Sequence, residues 1–290
     1  MLASSCVGVA ITRLVIVGSQ YSGLSRYTRF NCCFAKMQLS LEFSIKPEDT
    51  SLPDQRKHRG AHPEDKQLFA SENWARLRDA TRDLSWLLGR GYASPSAIKI
   101  VGDHYSLDSR QRIAVARCAC DDAAISRRQR HQVPVADLGG QALWIDGYNV
   151  LTSIESALSG GVILHARDGC FRDMASMHGT YRSVEETIPA ICLLGELAAV
   201  WKVAGCHWLL DQPVSNSGRL KTLLRKIAAE HHWNWEAELA TVPDRDLCQT
   251  DQIVATADSH ILDCAHRWFN LARLAIESRI AGAWIVDLSS

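Results

Sequence analysis

The chain has 290 residues, of which 47% are hydrophobic and 22% charged, with 32 basic against 32 acidic side chains. This composition excludes a disordered chain, and the length suits two modest domains or one domain with appendages. The zero net charge hides an asymmetry: residues 74–131 carry eleven Lys/Arg against six Asp/Glu, and residues 142–290 carry twelve against eighteen. A basic front and an acidic rear suit a protein that holds a polyanion with one part and coordinates cations with the other.

Ten cysteines are scattered along the chain without CxxC pairs, which argues against a zinc ribbon. Several, Cys192 and Cys206 especially, lie in apolar runs where a thiol acts as a small buried hydrophobe. The expected compartment is reducing and cytoplasmic. The apolar stretch at residues 7–18 is interrupted by Arg13 and is too short to span a bilayer. Nothing positive precedes it as a signal peptide requires, so no membrane partner is expected. Residues 1–62 read as a poorly ordered leader and linker, to which we assign no function.

From residue 63 the pattern becomes helical. Leu68, Trp74, Leu77, Leu84, Leu87 and Leu88 form an apolar stripe that ends at Gly89-Arg90-Gly91-Tyr92. Ser94-Pro95 starts a second helix, because proline suits the first turn. Asp108 caps a third, expected over residues 109–122, and residues 126–132 (SRRQRHQ) read as a basic connector. Residues 63–131 are therefore a small all-helical basic module, which either grips nucleic acid or is a solvated cap.

The sequence within that module resembles a known family. Arg90-Gly91-Tyr92, Ser96-Ala97, Val101-Gly102-Asp103-His104-Tyr105 and Arg110-Gln111-Arg112 are similar to the signature of the domain of unknown function 434 family over roughly residues 74–122. The resemblance implies that a PIN/NYN-like ribonuclease domain follows, here over residues 142–290.

The rear segment carries its own signals. Leu143-Trp144-Ile145-Asp146-Gly147-Tyr148-Asn149 is an apolar run ending in a carboxylate, a glycine and an amide. Such a run reads as a buried parallel strand, and ligands sit at the carboxyl ends of parallel strands. Cys206-His207-Trp208-Leu209-Leu210-Asp211 repeats the pattern, and a third strand over residues 253–263 carries Asp258. Ser259 is read as the cap of the helix after it. A helix over residues 184–204 is expected to open with a capping box between Ser183 and Glu186. Residues 233–239 read as a strand, 243–251 as a loop, 268–280 as a helix and 283–288 as a last strand.

Three strands ending in acids would bring Asp146, Asp211 and Asp258 to one sheet edge. Carboxylates gathered in this way repel one another unless a divalent cation sits among them, and oxygen-only donors suit Mg²⁺ or Mn²⁺. Asp146-Gly147-Tyr148-Asn149 is similar to the opening motif of the NYN branch, and Thr256-Ala257-Asp258-Ser259-His260-Ile261 to its late acidic motif. The resemblance implies an α/β fold of PIN-like, three-layer type with a mainly parallel central sheet. Asp146, Asp211 and Asp258 would then bind metal and be catalytic. Glu186 would be the helix-borne fourth acid, with Glu185 and Glu196 as alternatives.

The expected activity is a nuclease hydrolysing phosphodiester bonds, acting on RNA, with water activated by Mg²⁺ or Mn²⁺. Asn149, Arg167, Arg172, His178, Arg182 and Arg219 are the candidate substrate-binding residues. Ser215, Asn216 and Ser217 join them because small polar residues feeding a helix N-terminus make an anion cradle. The alternatives are an RNA-binding or regulatory protein without catalysis, and a metal-dependent phosphatase for a small substrate.

Overall fold

A computed structural model describes residues 57–175 and 181–290. Both the expected leader up to residue 56 and the candidate His178 lie outside the described residues.

Five helices come first: α1 (Asp65–Leu68), α2 (Trp74–Gly89), α3 (Ser94–His104), α4 (Ser109–Cys118) and α5 (Asp122–His131). Proline opens α3, and a reciprocal capping box between Asp108 and Gln111 opens α4. The expected single helix over 109–122 is two. Asp121 caps α5 by accepting from the Ala124 amide at 2.8 Å, and the basic connector is the body of that helix. Alternating Arg and polar residues hide the helical period there, and the local cap decides the structure.

The chain then enters β1 (Ala142–Asp146), α6 (Gly147–Leu158), β2 (Val162–His165) and β3 (Phe171–Asp173). It continues through α7 (Thr187–Val200), β4 (Gly205–Asp211), α8 (Ser217–Glu230), β5 (Trp235–Ala240), α9 (Pro243–Gln249) and β6 (Ile253–Ala255). It closes with α10 (Ser259–Cys264), β7 (Trp268–Phe269), α11 (Leu271–Arg279) and β8 (Trp284–Asp287). The central sheet runs β5-β4-β1-β6-β7, and every neighbouring pair in it is parallel. The fold is thus α/β with a mainly parallel sheet behind a helical module.

Five expectations need correction. The strand expected over 253–263 ends at Ala255, because Asp258 caps a helix over Ser259–Cys264. The helix expected at 184–204 begins only at Thr187, because Pro189 is tolerated only in a first turn. Ser183 makes no capping box; Thr187 Oγ1 accepts the Val184 amide at 2.9 Å instead. The expected loop after β5 is α9, with proline in its first turn. The expected helix over 268–280 is an edge strand followed by α11, since Trp268 and Phe269 pair with Val254 and Ala255.

The main core lies between one sheet face and α6, α7, α8 and α11, with Leu151, Ile154, Trp208, Leu224 and Ile276 buried in it. On the opposite face α9 and α10 cover Leu209, Val254 and Trp268. A second sheet, β3-β2-β8, presents Val162, Leu164 and Val286 to Leu77, Leu84 and Val115 of the helical module. Module and sheet thus share one apolar core among the described residues.

Candidate active site at the switch point of the sheet

The chain builds outward from β1 through β4 and β5 on one side, then crosses to β6 and β7 on the other. The C-terminal end of β1 is therefore a topological switch point, where the connections diverge and leave a crevice. Asp146 ends β1 there, and α6 begins at the next residue. Gly147 is required for this abrupt start. A Cβ on it would lie 2.5 Å from Leu210 Cδ2 and 2.7 Å from the Leu209 carbonyl of β4.

A cavity of about 460 Å³ opens above the strand ends. Asp146 and Asp211, at the ends of β1 and β4, line it, and so does Asp258, three residues beyond β6. Asp244, in the first turn of α9, and Asp173, at the end of β3 and bonded by Ser153 at 2.9 Å, also line it. Sequence reading missed Asp244 because its segment was taken for a loop. The Val242-Pro243-Asp244 helix-start signal could have found it.

The acids differ in how they are held. Thr256 Oγ1 donates to Asp146 Oδ2 at 2.8 Å, and burial, with repulsion from Asp258, Asp244 and Asp211, pushes the Asp146 carboxyl up to about 8. Burial also raises Asp211 and Asp244, with Asp244 repelling Asp211 and Asp258 repelling Asp244. Asp258, rather than Ser259, caps α10: its Oδ1 accepts the amides of His260 at 2.8 Å and Ile261 at 3.3 Å. Its second oxygen remains for the cavity.

The donor set is all oxygen, which fits Mg²⁺ or Mn²⁺ in kind. Asp146 lies opposite Leu209 in the β1–β4 register, so Asp211 stands two residues, roughly 7 Å, further along the strand direction. Among the described residues no three such side chains close into a cage as they stand. Donors at two heights are compatible with a cation that keeps several of its waters, as Mg²⁺ does.

Two polar groups complete this wall. Asn149 Oδ1 accepts the Ala257 amide at 2.8 Å, tying α6 to the β6 end and leaving its amide nitrogen as a donor. Tyr148 lines the cavity, and its buried hydroxyl has no hydrogen-bond partner among the described residues.

The remaining candidates lie elsewhere. Glu186 stands before α7, where His58 Nδ1 lies 2.7 Å from its Oε1, and Glu185 and Glu196 are exposed; none of the three lines the cavity. The fully buried helix-borne acid is Glu155, which accepts from Tyr181 and Thr187 at 2.6 Å each and is paired with Arg59. Arg167 is spent on the Cys120 carbonyl and Asp122, away from the cavity.

Arg172 touches the cavity but is fixed. It forms a fork with Asp168 at 3.0 and 2.6 Å, and its Nε donates to the Ala257 carbonyl at 2.8 Å. Arg128 of α5 completes this buried group, and the two guanidinium groups hold the Asp168 carboxyl well below the usual range. The loop of Ser215, Asn216 and Ser217 is not an open anion cradle. The Ser215 carbonyl and the Asn216 side chain bind the Tyr181 backbone at 3.2 and 2.9 Å, and Ser217 Oγ lies 3.3 Å from the Gln212 carbonyl. Arg219 is exposed on α8, and Arg182 lines a separate groove.

The thiols also divide. Cys118, Cys120, Cys170 and Cys206 are buried as expected of small hydrophobes, whereas Cys192 is only half-buried. Cys248 and Cys264 are joined as a disulfide, with Cα atoms 5.2 Å apart, linking α9 to α10. Reading every cysteine as an unpaired thiol missed this contact, which two short helices create.

Comparison with known proteins fits this division of the chain. Residues 76–131 match the family described as Protein of unknown function (DUF434), and residues 135–274 match Domain of unknown function (DUF5616). The uncharacterized protein MJ0935 of Methanocaldococcus jannaschii is 31% identical over 188 residues, which cover 64% of this chain and 88% of that protein. The chain belongs to that protein's family. No solved structure matches it. In this family member the DUF434 segment supplies most of α2 and all of α3 to α5, and the DUF5616 segment supplies all five cavity acids, Asp173 included. No helix among the described residues is long and apolar enough to cross a membrane.

Proposed function

We propose that this chain is a divalent-cation-dependent nuclease acting on RNA, on a PIN/NYN-like domain. The observation that carries the reading is the convergence of Asp146, Asp211, Asp244 and Asp258 on one cavity at the switch point of a parallel sheet. The motif resemblance around Asp146 and Asp258 points the same way. A cation bound by these acids would neutralise their repulsion, activate water and stabilise charge on a phosphodiester.

The chain's own residues supply position. Thr256 holds Asp146 at its Oδ2, which leaves Oδ1 for a cation. Asp258 is fixed by the amides of α10, and Asn149 and Tyr148 offer donors to phosphoryl oxygens. Because these carboxylates crowd one crevice, a bound cation would offset their repulsion of an anionic substrate.

The test is incubation of a 5′-labelled oligoribonucleotide with Mn²⁺, Mg²⁺ or EDTA. Chain shortening in Mn²⁺ is expected, with loss in EDTA and in Asp146→Asn and Asp258→Asn, while both variants still bind RNA. One observation favours a second reading, an RNA-binding protein without catalysis: Asp258 spends an oxygen on a cap, and no described trio closes around an ion. Binding without cleavage by the unmodified chain in every cation would select it. Release of phosphate from a small phosphomonoester, without oligonucleotide cleavage, would select a phosphatase.

A further inference from the structure

A second groove, of about 630 Å³, lies beside the carboxylate cavity and shares Ala175 with it. One wall is the stretch 57–63, which crosses the α/β layer before entering α1. The other is α4, through Arg110. Six basic or imidazole side chains line it, Lys57, His58, Arg59, His62, Arg110 and Arg182, against the single acid Asp65.

These side chains have different tasks. Asp65 is buried, and both of its oxygens are taken by Arg110 at 2.7 and 2.9 Å, so it presents no open carboxylate to a ligand. Arg59 is turned into the protein, bonded to Glu155 and to the Arg182 carbonyl and lying over the Tyr181 ring; it fixes the wall. Lys57, His58 and Arg182 stand exposed at the rim, with His58 shared with Glu186. Arg117 follows Arg110 by two turns on α4, and therefore on the same face. It donates to the carbonyls of Asp173 and, at 3.2 Å, Ala175, lies 3.8 Å from the Asp173 carboxylate, and lines the carboxylate cavity. Cationic side chains thus run along one helix from the acids into the groove.

We infer that a single strand of nucleic acid leaves the carboxylate cavity past Ala175 and lies between α4 and the 57–63 stretch, its phosphates held by Arg182, Lys57 and His58, while Arg110 and Arg117, paired with Asp65 and Asp173, form the wall on α4. The inference rests on the reading of the cavity as a phosphodiester site. A cavity of about 460 Å³ admits one small ligand or one nucleotide of a strand, whereas a base-paired partner has no place beside it. A basic groove tracking the backbone is how single strands are held without sequence preference.

The test is fluorescence anisotropy of a labelled oligoribonucleotide with the full chain in EDTA, where cleavage is silent, across 50–200 mM salt. Lys57→Glu combined with Arg182→Glu is expected to weaken binding roughly tenfold at the lowest salt. It should also flatten the log–log salt slope by about 1.4, at ~0.7 per phosphate contact. The Gln versions of both positions, which add no repulsion, should flatten the slope by the same amount. Unchanged affinity and slope in both double variants would overturn the inference, as would equal binding of duplex, or displacement by polyglutamate at matched charge. Groove-dependent binding with no cleavage in any cation would uphold the groove and sink the hydrolase reading. Asp146-dependent cleavage with groove-independent binding would do the reverse.

Discussion

The Thr256 hydroxyl donates to Asp146 Oδ2 across 2.8 Å, and the same Oγ1 accepts the Asp258 amide at 3.0 Å. One side chain therefore couples the ends of β1 and β6, which lie 110 residues apart in the chain. Thr256→Val keeps the shape and removes both bonds, so thermal melts at pH 7 should show a loss of about 1–2 kcal/mol. Thr256→Ser should recover most of it. A Val variant as stable as the unmodified chain would mean that the bond contributes nothing.

The Asp146 carboxyl, raised to about 8, sets the pH dependence of the cation-free chain. An unfolded aspartate ionises near ~3.9, so between about pH 4 and 8 the folded state binds more protons than the unfolded one. Stability contributed by the neutral carboxyl is complete at low pH and is lost as pH rises through 8. Asp146→Asn should remove this dependence and raise the midpoint at pH 8.5 by roughly 3–6 °C, corresponding to about 1–2 kcal/mol after allowing for solvent in the cavity. Cation titrations should show affinity rising over the same range, with proton release.

Gly147→Ala places a methyl group within 2.7 Å of the Leu209 carbonyl, a backbone atom that cannot step aside. Overpacking of this kind costs about 1–3 kcal/mol, and the start of α6 must shift. Denaturant midpoints should fall, and cation affinity should fall with them, because Asp146 precedes the displaced residue. Unaltered unfolding would show that α6 has room that the geometry denies.

Arg172→Met leaves the buried Asp168 with Arg128 as its remaining guanidinium partner and releases the Ala257 carbonyl next to Asp258. Breaking a buried ion group costs about 3–5 kcal/mol. The double variant Arg172→Met with Asp168→Leu should be closer to the unmodified chain in stability yet still weak in binding cations. That split in unfolding and cation titration would identify Arg172 as a positioning residue.

Arg59→Ala strands Glu155, which is fully buried against Tyr181 and Thr187. We expect a loss of about 3 kcal/mol, largely recovered when Glu155→Gln is added. No recovery would place the role of Arg59 in its contacts with Tyr181 and the Arg182 carbonyl instead.

Legibility in the sequence followed the range of the forces involved. The apolar runs before Asp146 and Asp211 announced parallel strands, and Pro95 and Asp108 announced helix starts, because those signals act over a few residues. The loop around Pro243 and the basic stretch at Ser126 were misread, since weak periodicity there was outweighed by caps and packing.

The amino-acid order alone determined that Asp146 and Asp211 would end strands of a mainly parallel sheet behind a basic helical module, because hydrophobic period and turn chemistry are local. Only the folded chain decided which acids share a cavity. It brought in Asp244, sent Glu186 to His58, and turned Arg172 inward to Asp168. Those choices depend on strand register, on helix packing and on the cost of burying a charge without a partner, none of which is written in neighbouring residues.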